Sequence, residues 1–315
     1  HELPEDYEKW ADVFGRGVIE EFNDHNVNFA TREAFDFFYP GYGSSYPSNM
    51  GAIGMLAEQG GHSRGGRAVE TEDGYVLTLK QRIFDHYTNS ISTVRTAIEN
   101  REPLLGYFRN AFTEDARKEE TKSFILPDEG RDYTNEFIDI MLQHGVEIQQ
   151  ATEAFTVRNA QSYWDGESSR RSFEEGSYII STDQPRHIFI NTIMKRQLAI
   201  KDSVMYDMAS WSAPMAYNLN AAWTNGTPRV AAENVTESPS YNSGVQNADA
   251  QYAYVINWDQ RHAPKALAKL WDAGYRVRSA EETFTLDDQT YSEGSLIVLI
   301  GRNYEKKNDI AADMQ

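Results

Sequence analysis

Along the first 24 residues the apolar positions fall at three- and four-residue spacing, at Tyr7, Trp10, Ala11, Phe14, Val18, Ile19 and Phe22, with acids between them. That period predicts an amphipathic helix over 7–24. Val27-Asn28-Phe29 reads as a short extended piece, and Thr31 is placed to cap a turn before Glu33-Ala34-Phe35. Further on, Ala68-Val69 and Tyr75-Val76-Leu77-Thr78-Leu79 flank Glu72-Asp73-Gly74, the pattern of a hairpin. From 79 to 114 the period returns to that of a helix. Ile83, Tyr87, Ile91, Val94 and Ile98 mark one face, and Pro103 opens a second segment. The charged run Thr113–Glu120 follows as a linker.

Beyond it the pattern repeats. The first copy runs Ser123-Phe124-Ile125-Leu126, a helical segment with Phe137, Ile138, Met141 and Leu142, then Gly145, Val146-Glu147-Ile148, Glu153–Val157 and Glu175–Ile180. The second runs Ala253-Tyr254-Val255-Ile256, Leu267, Leu270 and Trp271, Gly274, Tyr275-Arg276-Val277, Glu282–Leu286 and Glu293–Val298. Order and spacing agree apart from an insertion in the first copy around 159–171. Each copy reads as strand, helix, strand and a further strand, with glycine closing the helix. Units of this kind pack as βαβ layers on a parallel sheet. The expected organisation is a first domain over 1–118 and an α/β domain over 119–315. Within the latter, the copies lie at about 123–181 and 253–300, joined by a connector over 182–252. In the connector, Tyr206-Asp207 to Pro214 suggests a buried tie through the Asp207 carboxylate, and 224–251 an exposed loop.

One stretch between these elements has no simple period. Phe35 to Tyr39 is an aromatic run, Pro40 to Pro47 a Pro/Gly/Ser/Tyr loop, and Gly51 to Gly61 an apolar strand-like run interrupted only by Glu58-Gln59. A carboxylate ending an apolar run is costly to bury unless it is paired or used. Without comparison to other proteins, the simplest reading is a surface loop followed by a strand whose Glu58 faces water.

Composition narrows the chemistry. The 315 residues carry 40% hydrophobic side chains, enough for a sizeable core, and a net charge of −18. That acidity argues against nucleic acid and anionic membrane surfaces as partners. There is no cysteine, which excludes disulfides, thiolate metal sites and a cysteine nucleophile. The seven histidines form no His-x-x-x-His pair, and the His-x-x-Glu spacing of His144 and Glu147 spans the turn at Gly145 rather than one element, so a self-contained zinc site is not expected. Gly61-His62-Ser63-Arg64-Gly65 has the Gly-x-Ser-x-Gly spacing, but Ser63 has no obvious His partner at hand, and Gly41-Tyr42-Gly43 lacks the third glycine or basic residue of a phosphate loop. Glu58 remains the candidate general acid or base.

The tract Thr31-Arg32-Glu33, Phe35-Asp36, Phe38–Gly43, Asn49, Gly51–Met55 and Glu58-Gln59, with the long helix after it, resembles the closing part of the catalytic domain in zinc metallocarboxypeptidases of the carboxypeptidase A type, specifically the large bacterial members. Gln184-Pro185-Arg186 and Tyr206–Pro214 resemble the accessory region of those members. The resemblance implies part of an α/β/α mixed sheet followed by an α/β accessory domain. It implies hydrolysis of peptides from the C-terminus, a peptide or protein substrate, and an extracellular or periplasmic location. Glu58 then matches the glutamate that works with zinc-bound water, and Tyr42 or Tyr46 the mobile tyrosine that caps substrate. The family's zinc ligands precede the matching region, and none is identifiable here. The expectation is a segment of a longer polypeptide, or a chain whose zinc-binding half comes from another. The alternative is a non-catalytic binding or scaffold protein with a metal-less carboxypeptidase-like fold. A third reading rests on the repeat alone: a ligand-binding α/β protein with its ligand between the copies.

Overall fold

The computed structural model describes residues 3–31, 39–60, 67–129, 132–196, 212–239, 244–286 and 289–314. The fold is mixed α/β, with helices and several antiparallel sheets. The chain forms two compact units. One comprises His1–Pro127, Gly145–Ala216 and Asn220–Asn234, the other Asp128–His144, Tyr217–Leu219 and Val235–Gln315.

In the first unit the expected helix is α1 (Tyr7–Asp24), and a one-turn helix α2 (Ser45–Asn49) follows in the tyrosine loop. Val27–Phe29 forms no strand. The hairpin is present as β1 (Ala68–Glu70) against β2 (Val76–Thr78). It leads directly into α3 (Leu79–Glu99), whose first turn is capped by the Thr78 hydroxyl accepting from the Gln81 amide at 3.1 Å. Pro103 sits near the start of α4 (Arg101–Asn110), where its missing amide hydrogen is not needed. Helices α1 and α3 meet closely at Gly17, where a Cβ would lie 2.2 Å from the Thr96 hydroxyl. Trp10, Phe14 and Tyr107 close the small core between α1 and α4, with Ile53 against them.

In helix α3 the apolar face is the open one. Ile83, Tyr87, Val94 and Ile98 are 56–70% exposed, and Ile91 is exposed as well. The buried face carries Asp85, Thr88, Ser92 and Thr96. The apolar period did specify a helix, but small polar side chains are what allow α1 to approach, and the apolar stripe is left open.

The order of elements recurs along the chain, and the sheets they form are not the parallel ones expected. In the first copy β3 (Ser123–Leu126), α5 (Asp132–Gln143) and β4 (Gln149–Ala151) are followed by the hairpin β5 (Phe155–Ser162) and β6 (Ser168–Phe173), then β7 (Tyr178–Ser181). Strand β7 inserts between β3 and β4 and runs antiparallel to both. The connector contributes α6 (His187–Met194), α7 (Ala213–Ala216), β8 (Ala222–Thr224) and β9 (Ala232–Asn234). With β8 and β9 the sheet has seven strands, ordered β6-β5-β8-β3-β7-β4-β9 and antiparallel throughout. The second copy has β10 (Ala253–Ile256), α8 (Ala263–Asp272), β11 (Arg278–Ser279), the hairpin β12 (Phe284–Leu286) and β13 (Gln289–Tyr291), and β14 (Leu296–Leu299). A short helix, α9 (Ile310–Met314), comes after it. Here β14 again lies between the two earlier strands, antiparallel to both. Among the described residues a parallel sheet is therefore not formed. The strand–helix–strand connection leaves a gap one strand wide, and the last strand of each copy fills it.

The copies agree in detail. Gly145 and Gly274 end their helices at φ +73° and +78°, in the left-handed region that a side chain would strain. Ala151 and Ser177 exchange a backbone bond as Ala280 and Ser295 do, at 2.9 and 2.8 Å. The hairpins stack Phe155 on Phe173 and Phe284 on Tyr291, with ring centroids 5.3 and 5.2 Å apart. A buried side-chain amide closes each copy. Gln184 donates to the Glu147 and Ser181 carbonyls and accepts from the Glu147 amide. Asn303 makes the same three bonds with Arg276 and Leu299. The insertion at 159–171 is a lengthening of the β5–β6 hairpin. Nor is 224–251 wholly a loop, since β9 pairs with β4.

Candidate functional site

The described part of the tyrosine tract begins at Tyr39. Tyr39 and Tyr42 pack edge to face with centroids 5.3 Å apart, and both are exposed. The Tyr46 amide donates to the Tyr42 carbonyl at 2.9 Å, and the Tyr46 ring meets Phe189 of α6 edge-on at 6.1 Å. Asn49, at the end of α2, is buried and accepts from the Thr192 hydroxyl at 3.3 Å. The loop is thus seated on α6, all of whose residues are buried.

The tract then turns at Gly51, with φ +83°. At Gly54 the chain passes so close to the loop that a Cβ would sit 1.9 Å from the Ser44 carbonyl oxygen. The buried Ser48 hydroxyl explains the approach. It donates to Ser44 O at 2.7 Å and accepts from the Gly54 amide at 3.0 Å, while Tyr7 donates to the Gly54 carbonyl. Past this clasp, residues 55–60 form no regular structure. The expected strand is not there, because among the described residues no neighbouring strand pairs with this run.

Glu58 lies on that run with its side chain exposed. Tyr42 and Tyr46 are brought within one turn of each other, and the clasp holds the chain four residues before Glu58 against their loop. No hydrogen bond among the described residues joins Glu58 to either tyrosine. The aromatic run 35–38, the loop 61–66 and the Asp207 segment lie outside the described residues.

The titratable cluster that sequence reasoning passed over is at His187. Its Nε2 donates to the Ala111 carbonyl at 2.9 Å and its Nδ1 bonds Glu119, which is half-buried. Burial by itself would lower the His187 pKa. The hydrogen bonds that the ring donates to Glu119 and Ala111, with the Glu119 charge, outweigh it, Arg117 opposing, so the pKa stands above the ordinary histidine value. Both ring nitrogens are occupied by the protein, and the cluster ties the start of α6 to the end of α4. In the sequence, His187 is one of seven isolated histidines, and its only cue was its place after Gln184-Pro185-Arg186.

Among the described residues no three His, Cys, Asp or Glu side chains gather where a metal ion could be held. No helix of the described residues is long and apolar enough to cross a membrane. No protein-family model, curated protein or solved structure matches this chain.

Proposed function

We propose that the chain is part of a zinc-dependent carboxypeptidase, carrying the acid/base glutamate Glu58 but not the metal ligands. The observation that carries the reading is the tract from Tyr39 to Gln59, with its Tyr-Pro-Gly-Tyr-Gly loop and Glu-Gln pair. The glycine-dependent clasp at Gly54 supports it, since it holds the chain four residues before Glu58 against the tyrosine loop. The exposure of Glu58 leaves its carboxylate free to face a metal and a substrate contributed from elsewhere.

The described side chains do not by themselves fit zinc, so its ligands are assigned to other residues and no chemical step is derived through the metal. In this reading Glu58 takes a proton from the attacking water and passes it to the leaving amine, a role that needs a carboxylate within hydrogen-bond reach of both. Tyr42 or Tyr46 closes over the peptide. A second support is the outward apolar stripe of α3, Ile83, Tyr87, Ile91, Val94 and Ile98. An exposed face of this kind marks a surface that something else covers, as the remaining half of a catalytic domain would.

The test is Glu58→Gln in the polypeptide that includes the zinc-binding half, assayed on peptides with free C-termini and analysed for metal. Peptide hydrolysis should fall by at least about 100-fold, in line with the loss of a general base, with zinc still bound stoichiometrically. Activity retained in the variant overturns the role of Glu58. The parent protein lacking zinc would favour the non-catalytic scaffold instead.

A further inference from the structure

The second copy contains a cleft of about 350 Å³ lined by Arg276, Val277, Arg278, Leu299 and Arg302. Three arginines therefore line one space, with no acid in its lining, in a chain whose 48 acidic residues outnumber 30 basic ones. Among the described residues none of the three arginines has an ion-pair partner. On so acidic a surface, three cations left without a carboxylate need a reason.

The repeat supplies an internal control. Counting from Gly145 and Gly274, the first copy has Glu147 and Gln149 where the second has Arg276 and Arg278. Between its last strand and its closing amide it has Thr182-Asp183, where the second has Ile300-Gly301-Arg302. The two frames share the placement of the last strand between the two earlier ones and the three bonds of Gln184 and Asn303. The fold is thus built once without these arginines, and they are not needed to form it. Asn303, itself buried, holds the backbone of Arg276 to the turn that carries Arg302, so two of the cations are set on fixed backbone.

We propose that this cleft binds a phosphate group, as part of a small phosphorylated organic molecule. Guanidinium forks match the oxygens of phosphate in pairs, and three of them exceed what a single carboxylate can occupy. The volume is at the lower end of small-molecule sites, roughly 300–1,000 Å³, and leaves room for more than the phosphate itself. The site is independent of Glu58 and of the carboxypeptidase reading.

The experiment is calorimetric titration of the full chain with inorganic phosphate and glycerol phosphate at low, chloride-matched ionic strength. Saturable binding in the range of about 0.1–1 mM is expected, with glycerol phosphate at least as tight as phosphate. Arg278→Gln, which installs the residue type of the first copy, and Arg302→Gln should each weaken it about tenfold, the scale of a lost charge-assisted bond. Arg229→Gln, removing an equal charge from an exposed site in the other unit, should leave it unchanged. Thermal unfolding of each variant confirms that it is folded. The site is refuted by no saturable binding up to about 10 mM, by cleft variants that bind like the parent, or by equal weakening in Arg229→Gln. Citrate binding more tightly than either phosphate overturns the assignment to phosphate.

Discussion

His187 and Gly54 show how single residues hold the region around the candidate site. The His187 pKa is raised on folding, so its contribution to stability is fully present below the ordinary histidine value of about 6.5 and is lost as pH rises through the folded value. His187→Ala should therefore lower the unfolding free energy by about 2 kcal/mol at pH 6, and by less at pH 9. Urea titrations of parent and variant at the two pH values measure this, and a gap that stays constant or widens with pH would count against it. Gly54 is tested more bluntly. Its missing Cβ is what lets the Ser48 hydroxyl reach its amide, so Gly54→Ala must push the clasp apart. The expected loss is about 2 kcal/mol, read as a lowered urea midpoint, and the carboxypeptidase reading expects activity to fall with it.

At the scale of elements, periodicity made α1, α3, α5 and α8 legible in the sequence, as well as the hairpin β1–β2 and the two copies of the repeat. It did not reveal which side of α3 is covered. A period of 3.6 identifies an apolar face, but the side that packs also depends on how near the neighbouring helix can come, and Gly17 against Ser92 and Thr96 decided that here. Strand direction was missed for a related reason. A strand–helix–strand unit predicts parallel neighbours only when the two strands are adjacent, and nothing in Tyr178–Ser181 or Leu296–Leu299 announces that these strands lie between the others. The same asymmetry of packing yields a prediction for α3. Ile98→Glu should change the stability of this chain by less than about 0.5 kcal/mol, whereas Gly17→Ala should lower its melting temperature clearly. Equal effects would mean that the apolar stripe is not open in solution. The closing amides make a second test, since Gln184→Ala and Asn303→Ala each remove three bonds to buried backbone. Each is expected to lower stability by about 2–3 kcal/mol in chemical denaturation.

For the molecule as a whole, a net charge of −18 means that the folded chain repels itself at low ionic strength. Raising sodium chloride from about 10 to 150 mM shortens the screening length to roughly 8 Å and should raise the melting temperature. Phosphate at the same ionic strength should raise it further if the arginine cleft is occupied in the native state alone. A feature of the two copies bears on how such a chain behaves when concentrated. In the first, β8 and β9 lie outside β3 and β4. In the second, among the described residues, β10 and β11 have only β14 between them and no strand beyond. Strand β11 is two residues long and carries Arg278, which discourages another strand from docking there. Strand β10, Ala-Tyr-Val-Ile, has no charge, and Tyr252 beside it is 80% exposed. Its free row of amides and carbonyls is a template on which a foreign strand, or the β10 of a second copy, can extend the sheet.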